Sequence, residues 1–292
     1  MTTFKPPFVY VSGVALVQVL FITSILSLMA LHFTLTSRAQ VNIASTLQDK
    51  ITAELMLMQW QNELFYALLT QPIFSEGNHK PPTANILTKH WNFYGKTFSP
   101  ADNVQIRIQD IYGMLSLATP GMQTELSNLL QQVAISGTDA QRIVANLQHW
   151  QGFNSNTYQL SHAKAGRDML MQNLSEFKQV SGITELQFSQ LAEAVVALPN
   201  STLNPLTAPD IRLKAMLAPD VASKVIQLRE QGQLDAATYI ALTGIEDYES
   251  LSFVPGQRFL IEVKVAYGES VAKSRFICYI RPENQFPLIW LD

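Results

Sequence analysis

Cysteine and charged residues are both scarce in this chain of 292 residues. The single cysteine, Cys278, excludes a disulfide framework and a zinc site built from several cysteines. Charged residues make up 15% of the chain, against about 25% in an average globular protein. The net charge of -3 gives no overall attraction to nucleic acid. Part of the deficit in charged residues comes from one segment, because residues 6–37 contain no Asp, Glu, Lys or Arg.

Catalytic and metal-binding motifs are also missing from the sequence. There is no glycine-rich phosphate loop, no H-E-x-x-H and no G-x-S-x-G. Glu54 and Glu63 fall on a predicted helix and are interpreted as solvated or subunit-facing. We therefore predict that the chain is not an enzyme. The five histidines show no metal-ligand spacing; they are His32, His79, His90, His149 and His162.

The stretch 14–36 is dominated by Leu, Val, Ile, Phe, Met and Ala. As a helix it would be roughly 35 Å long, enough to cross a bilayer core of about 30 Å. Thr23, Ser24 and Ser27 are tolerable in lipid because their hydroxyls can bond to the backbone carbonyl one turn earlier. The sequence predicts a transmembrane helix. A plain signal anchor or an uncleaved signal peptide has the same composition.

The small residues Ser12 and Gly13 precede this apolar run, whereas a secretory signal places its cleavage site after it. The stretch 13–20, Gly-Val-Ala-Leu-Val-Gln-Val-Leu, resembles the leader of type IV pilin-class proteins. The resemblance implies cleavage by prepilin peptidase between Gly13 and Val14. Most subunits of that class carry a glutamate where this chain has Gln18, and its absence is typical of one minor pseudopilin, K. The membrane-core and assembly residues implied are Leu16, Gln18 and Leu20.

Beyond the apolar run, the spacing of apolar residues predicts that the helix continues over 37–71, up to Pro72. The first half would lie in lipid and the second half would pack on a soluble domain. The predicted amphipathic stripe consists of Leu47, Ile51, Glu54, Leu55, Met58, Asn62, Phe65 and Leu69.

Beyond this helix, the spacing of apolar residues changes twice along the chain. Residues 104–108 alternate as a half-buried strand and lead into 110–117, where Gly113 indicates a turn between two strands. Residues 122–248 predict short helices separated by loops, with Asp139 and Asp220 near helix starts. Residues 259–266 and 271–280 predict a β-hairpin, and 288–291 a last strand. The loop 75–82 contains His79.

This order predicts an α+β fold in which a long N-terminal helix packs on a small antiparallel sheet, with a large all-α domain inserted. The predicted units are a leader (1–13), a transmembrane helix (14–36), a pilin-like domain (37–120 and 254–292) and the inserted domain (121–253). Segments 180–183 and 217–226 look like helix-hairpin-helix units. In the latter, the carboxylate of Asp220 would repel phosphate, so we predict a module that packs against protein and no nucleic-acid partner.

Five segments in order resemble the general secretion pathway protein K family, the minor pseudopilin K of type II secretion. They are 13–20, 104–117, 173–183 (Asn-Leu-Ser-Glu-Phe-Lys-Gln-Val-Ser-Gly-Ile), 198–209 and the C-terminal hairpin with Trp290. The family's Gly-x-x-Asn-x-Asn stands here as Gly113, Ser116 and Ala118. The chain is identified on this resemblance as a divergent member.

The resemblance implies a minor pseudopilin that caps or initiates the pseudopilus tip. Its partners would be the I- and J-type minor pseudopilins, the major pseudopilin and prepilin peptidase. It would cross the cell inner membrane once, with its soluble part in the periplasm. The alternative is a single-pass membrane-anchored binding protein, a nucleic-acid or substrate receptor of a related pilus-like or DNA-uptake system.

Calcium binding is implied only by the resemblance. The family tends to have an acidic run where this chain has His149-Trp150-Gln151-Gly152-Phe153-Asn154. Calcium needs several oxygen ligands, usually carboxylates. No ligands can be assigned in this sequence, and no cofactor is predicted from it.

Overall fold

One long helix organises the molecule. The computed structural model describes residues 12–73, 85–153, 169–180, 182–245 and 250–291. Helix α1 runs over Ser12–Thr70, a length of about 88 Å at 1.5 Å per residue. It ends two residues before Pro72, because proline disfavours helical backbone in the residue that precedes it. The predicted continuous helix is therefore confirmed.

A five-stranded antiparallel sheet packs on the second half of α1. Its strand order is β1-β2-β5-β6-β7, and a separate two-stranded ladder joins β3 and β4. A short helix, α2 (Ile86–His90), precedes the sheet. The strands are β1 (Phe98–Ala101), β2 (Val104–Asp110), β3 (Leu115–Ser116), β4 (Val195–Val196), β5 (Arg258–Tyr267), β6 (Ser270–Ile280) and β7 (Leu288–Leu291).

The core between helix and sheet follows from the period of two in the strands. In β2 the side chains of Val104, Ile106 and Ile108 are fully buried, because alternate residues of a strand point to the same face. They belong to one hydrophobic cluster with Leu57 and Leu64 of α1. The predicted strand over 104–108, with one face buried, is confirmed.

The packed face of α1 coincides with the predicted amphipathic stripe only at its upper end, where Phe65 is buried and Leu69 packs against the core. The helix buries Ala53, Leu57 and Leu64 against the sheet, while Ile51 and Leu55 of the predicted stripe are more than half exposed. Positions 51 and 53 differ by about 200° around a helix with 3.6 residues per turn. This half of α1 is apolar on two opposite faces, and spacing alone does not indicate which face the sheet covers.

The hairpin β5–β6 has the predicted position and a two-residue turn, Gly268-Glu269, between Tyr267 and Ser270. Gly268 has φ +54°, and a Cβ there would lie 2.2 Å from a carboxylate oxygen of Asp49. Glycine at this place therefore permits both the turn and its approach to α1. The last strand β7 pairs with β6, which confirms the prediction over 288–291.

A mainly helical segment leaves the sheet after β2 and returns at β5. Its helices are a 3₁₀ turn (Ile111–Gly113), α3 (Gln123–Gln132), α4 (Gly137–Trp150), a 3₁₀ helix (Leu174–Val180), α5 (Glu185–Leu191), α6 (Asp210–Met216), α7 (Pro219–Glu230) and α8 (Ala236–Thr243). The parallel ladder of β3 and β4 lies inside it and was not predicted. The predicted α+β fold with an inserted helical part is confirmed.

This segment between β2 and β5, residues 111–257, is called the crown. It is joined to the end of the sheet that lies far from the apolar half of α1. Asp110, the last residue of β2, is opposite Phe259 at the start of β5. The other end of β5 leads into the hairpin turn that touches Asp49. Because strands β2 and β5 extend between these two ends, the crown and the apolar half of α1 lie at opposite ends of the sheet.

The structure refines two predicted helix starts in the crown. Asp139 and Asp220 lie in the first turns of α4 and α7, while the first residue outside α4 is Ser136. The Ser136 hydroxyl accepts a hydrogen bond from the backbone N–H of Asp139, the usual N-cap arrangement. The loop 75–82 with His79, and also His162 and Asn154, lie outside the described residues.

Candidate functional site: the faces of helix α1 and the crown junction

The apolar half of α1 has the properties of a membrane span. Its apolar side chains are exposed, and no residue of its most apolar stretch is buried. The Ser24 hydroxyl donates to the carbonyl of Leu20 at 2.8 Å, and Ser27 donates to Thr23 at the same distance. These bonds confirm that the hydroxyls in the span are satisfied within the helix, which removes most of their cost in lipid.

The predicted processing and assembly residues all fall on α1. The helix already includes Gly13, and the side chains of Val14, Leu16, Gln18 and Leu20 are exposed along it. Nothing in the structure tests cleavage between Gly13 and Val14 or an assembly role for the other three residues. These assignments stay predictions.

Beyond its apolar half, α1 carries a second apolar face that the sheet leaves uncovered. Leu47, Ile51, Leu55 and Met58 are separated by four, four and three residues, so they share one side of the helix. Their exposed fractions run from 52% for Ile51 to 61% for Leu55. We call these four residues the apolar stripe. A contiguous apolar patch in water is typical of an interaction surface.

The sheet holds α1 only from one side and only over part of its length. The tip of the β5–β6 hairpin marks the lower limit, where the backbone N–H of Glu269 donates to Asp49 and the Ser270 hydroxyl donates to the carbonyl of Thr46. At the upper end Phe65 lies in an aromatic cluster with Phe276 and Trp290. The apolar stripe therefore lies beyond the apolar half of α1, along the part of the helix that the sheet contacts on its other side.

A buried carboxylate joins the crown to the sheet. Asp110 is fully buried at the end of β2. It accepts hydrogen bonds from the backbone N–H groups of Tyr112 and Gly256 and from the Thr207 hydroxyl, at 3.0, 3.1 and 2.8 Å. The three donors come from the turn after β2, the crown's long loop and the entry to β5. One side chain thus fixes three chain segments at the junction.

Burial raises the pKa of Asp110 from 3.8 to about 6, and the three hydrogen bonds oppose this rise only in part. The reason is that desolvation disfavours the charged carboxylate, while the donors favour it. The junction therefore contains an acid whose protonation changes between mildly acidic and neutral pH.

Close backbone packing completes the junction. A Cβ on Gly113 would lie 2.3 Å from the backbone carbonyl oxygen of Thr207, so only glycine permits this approach. The buried Arg212 of α6 donates to the carbonyl of Gly113 at 3.0 Å and to the carboxylate of Glu125 at 2.9 Å. Its cluster of contacts ties the turn after β2 to two helices of the crown.

Helices α6 and α7 form a helical hairpin connected by Leu217 and Ala218. Leu213 and Val225, one from each helix, are fully buried in a cluster with Tyr239 of α8. The hairpin therefore has its own apolar core inside the crown. The prediction that it packs against protein and not against nucleic acid stays a prediction.

The described part of the chain contains no group of three or more His, Cys, Asp or Glu side chains that could hold a metal ion. The protein K family tends to have an acidic run at this place; here the last turn of α4 has no acidic side chain, and the amide of Gln151 donates to the carbonyl of Leu117 at 2.8 Å. The described residues of this segment, 149–153, do not fit a calcium site, because they supply no carboxylate.

Of the comparisons with known proteins, only the one with solved structures found a match. No protein-family model matches the chain, and no curated protein matches it. Among solved structures, a chain of the GspK-GspI-GspJ complex from the enterotoxigenic Escherichia coli type 2 secretion system is similar to it, with 15% identity and a TM-score of 0.48. The match covers 88% of this chain and 97% of that one. It does not establish the family.

Sequence reasoning missed the two features that define the site. It listed the stripe residues without recognising that they stay uncovered, because a second apolar face at Leu57 and Leu64 was not separated from them. It also read 110–117 only as strand and turn. An acid at the end of an apolar strand, here Asp110 directly after the alternating pattern, was the signal that marked the junction.

Proposed function

We propose that this chain is a minor pseudopilin of a type II secretion system. It has no enzymatic role, and it caps or initiates the tip of the pseudopilus with other minor pseudopilins to support protein export across the outer membrane. The observation that carries the proposal is the uncovered apolar stripe of α1, which continues above the membrane span. The segments that resemble the protein K family support the same conclusion.

The stripe distinguishes a filament subunit from a simple membrane anchor. An anchor needs an apolar helix only over the bilayer core, roughly 20 residues. Here the described apolar run is followed by Leu47, Ile51, Leu55 and Met58 on a face in water. Full burial of one such side chain contributes about 1.5–3 kcal/mol, and these are little more than half exposed. Covering them with the helix of another subunit would contribute on the order of 1 kcal/mol each.

The crown supports a place at the tip. It is attached at the end of the sheet opposite the apolar half of α1, and Asp110, Gly113 and Arg212 fix it there. We propose that residues 121–253 act as an inserted domain on a pilin-like domain of residues 37–120 and 254–292. A bulky unit in this position would prevent subunits from adding above it.

Processing and location follow from the same proposal. Prepilin peptidase would remove the leader 1–13 by cutting between Gly13 and Val14, and helix 14–36 would hold the chain in the inner membrane with its soluble part in the periplasm. Gln18 replaces the glutamate that pairs with a neighbouring subunit, and a half-made buried ion pair is costly. A subunit that starts the filament has no subunit ahead to pair with. The expected partners are the I- and J-type minor pseudopilins and the major pseudopilin.

The N-terminus tests this function. Mass spectrometry of the protein extracted from its native membrane should find Val14 as the first residue. The variant Gly13→Ala should keep the leader and abolish secretion. An intact N-terminus at Met1 or Thr2, or unchanged secretion by Gly13→Ala, would contradict the proposal and favour a single-pass binding protein.

A further inference from the structure

The outer face of the sheet, opposite α1, is strongly basic. Side chains alternate along a strand, so the positions between the buried residues of β2, β5 and β6 point away from the core. Apart from Arg258, whose guanidinium donates to the carbonyl of Pro199 in the crown, four of them are cationic and one is acidic, in a chain whose net charge is -3. We call this set the basic face: Arg107, Glu262, Lys264, Lys273 and Arg275.

The one carboxylate of the basic face is already shared by two arginines. Glu262 lies 3.5 Å from the guanidinium of Arg107 and 3.2 Å from that of Arg275. Arg107 is held further by its Nε, which donates to the carbonyl of Gly95 at 2.7 Å. Four positive charges minus one negative charge leave the basic face with a net charge of +3.

The next outward-facing pair along β5 and β6 consists of two positive charges with no carboxylate partner among the described residues. Lys264 lies directly opposite Lys273 in the β5–β6 register, and both are exposed. Like charges opposite each other destabilise an antiparallel pair. Within the described residues, neither lysine has an ion pair or a side-chain hydrogen bond. The arrangement disfavours the isolated fold slightly, and it favours any partner that brings carboxylates.

The basic face is also concave. It forms an open depression of about 440 Å³, to which Thr97 and the outward-facing Gln105 also contribute. Ammonium and guanidinium groups are hydrogen-bond donors without acceptor capacity. A carboxylate is the complementary group, because it only accepts and its bonds to cations are strong.

The position of the basic face favours an acidic protein over a lipid surface. The hairpin turn touches Asp49, which is 13 residues, or about 20 Å, beyond the end of the apolar run at Thr36. Lys264 lies four residues above the turn, about 13 Å further along the strand. Lys264 therefore lies roughly 30 Å beyond the end of the apolar run, which exceeds the Debye length of about 8 Å at physiological salt. At that distance the charges of a lipid surface around the apolar run would be screened.

We propose that the basic face is a docking surface for an acidic segment of a partner protein. Lys264 and Lys273 bind carboxylates of that segment, and Glu262 keeps the two arginines oriented toward it. This inference goes beyond the proposed function, because the face lies on the side of the sheet away from the apolar stripe. The docking inference would hold equally for a membrane-anchored binding protein. An experiment can therefore refute the proposed function and the docking inference separately.

Binding of a defined acidic peptide tests the proposal. The full-length protein in phosphatidylcholine nanodiscs is titrated with a hexaglutamate peptide, and with hexaglutamine as the uncharged comparison. We expect saturable, salt-sensitive binding of hexaglutamate alone. The double variant Lys264→Gln/Lys273→Gln should bind about tenfold more weakly, which corresponds to about 1.4 kcal/mol for two exposed charge contacts.

A matched control removes the same charge elsewhere. The double variant Lys214→Gln/Lys224→Gln changes two exposed lysines of α6 and α7 and should bind hexaglutamate like the unchanged protein. Equal weakening in both double variants, or no binding of hexaglutamate, would overturn the proposal. Capture by phosphatidylserine vesicles that requires Lys264 and Lys273, in place of peptide binding, would overturn it in favour of a lipid surface. Circular dichroism checks that each variant is folded.

Discussion

Neutralising the buried acid of the crown junction should change how stability depends on pH. Asp110→Asn keeps one oxygen that can accept from the N–H groups of Tyr112 and Gly256. The Thr207 hydroxyl, which loses its charged acceptor, has the carbonyl of Asn204 at 3.3 Å as an alternative. The variant therefore retains the geometry of the junction and removes the charge.

The magnitude follows from the pKa of Asp110, which burial raises from 3.8 to about 6. One pKa unit corresponds to about 1.36 kcal/mol, so the difference is worth about 3 kcal/mol. Because the folded-state pKa lies above the unfolded value, this stability is fully present below about pH 4 and is lost as the pH rises through about 6. Asp110→Asn should thus gain about 3 kcal/mol in unfolding free energy relative to the unchanged protein between pH 4 and pH 7.

The assay is urea unfolding of the full-length chain in detergent micelles, followed by tryptophan fluorescence at several pH values and extrapolated linearly. The variant Asp220→Asn, at an exposed site in the first turn of α7, controls for the loss of one surface charge. Parallel stability curves for Asp110→Asn and the unchanged protein across this pH range would refute the reasoning.

Three further predictions address the two faces of α1, the junction and the basic face. Leu57→Ala should lower the unfolding free energy by about 2–5 kcal/mol because it empties a core site, while Leu55→Ala on the exposed stripe should change it by less than about 0.5 kcal/mol; equal losses in urea unfolding would contradict the assigned faces. Gly113→Ala should cost about 3 kcal/mol or more, because its Cβ would lie 2.3 Å from a backbone oxygen; a normal thermal midpoint would refute this. Lys273→Glu should stabilise the fold by about 0.2–1 kcal/mol by pairing with Lys264, and urea unfolding that shows a loss would contradict the like-charge argument.

The sequence was informative where the pattern is local. A charge-free run and the approach to Pro72 bounded α1, and alternation around a glycine turn located the β5–β6 hairpin. It was uninformative where two distant segments decide the outcome. Which apolar face of α1 is covered depends on the sheet, and the two-residue strands β3 and β4 lie about 80 positions apart, too short to leave a periodic signal.

The candidate site also contains residues that the sequence indicates and residues that only the folded structure brings together. Gly13, Val14 and Gln18 were singled out from their place relative to the apolar run, and the structure does not test their roles. The junction at Asp110 required knowledge of Thr207 and Gly256, which reach it from remote parts of the chain. Such a constellation is visible only after folding, because no fixed spacing in sequence identifies it.

Cross-linking from the apolar stripe tests the central claim most directly. The only cysteine, Cys278, is buried, so Leu55→Cys supplies one accessible thiol for a benzophenone maleimide in membranes of the native cells. We predict a covalent adduct with another subunit of the filament, and none from Leu186→Cys on the exposed surface of α5. Absence of an adduct at position 55, or adducts with the major pseudopilin from position 186 alone, would contradict an assembly role for this helix.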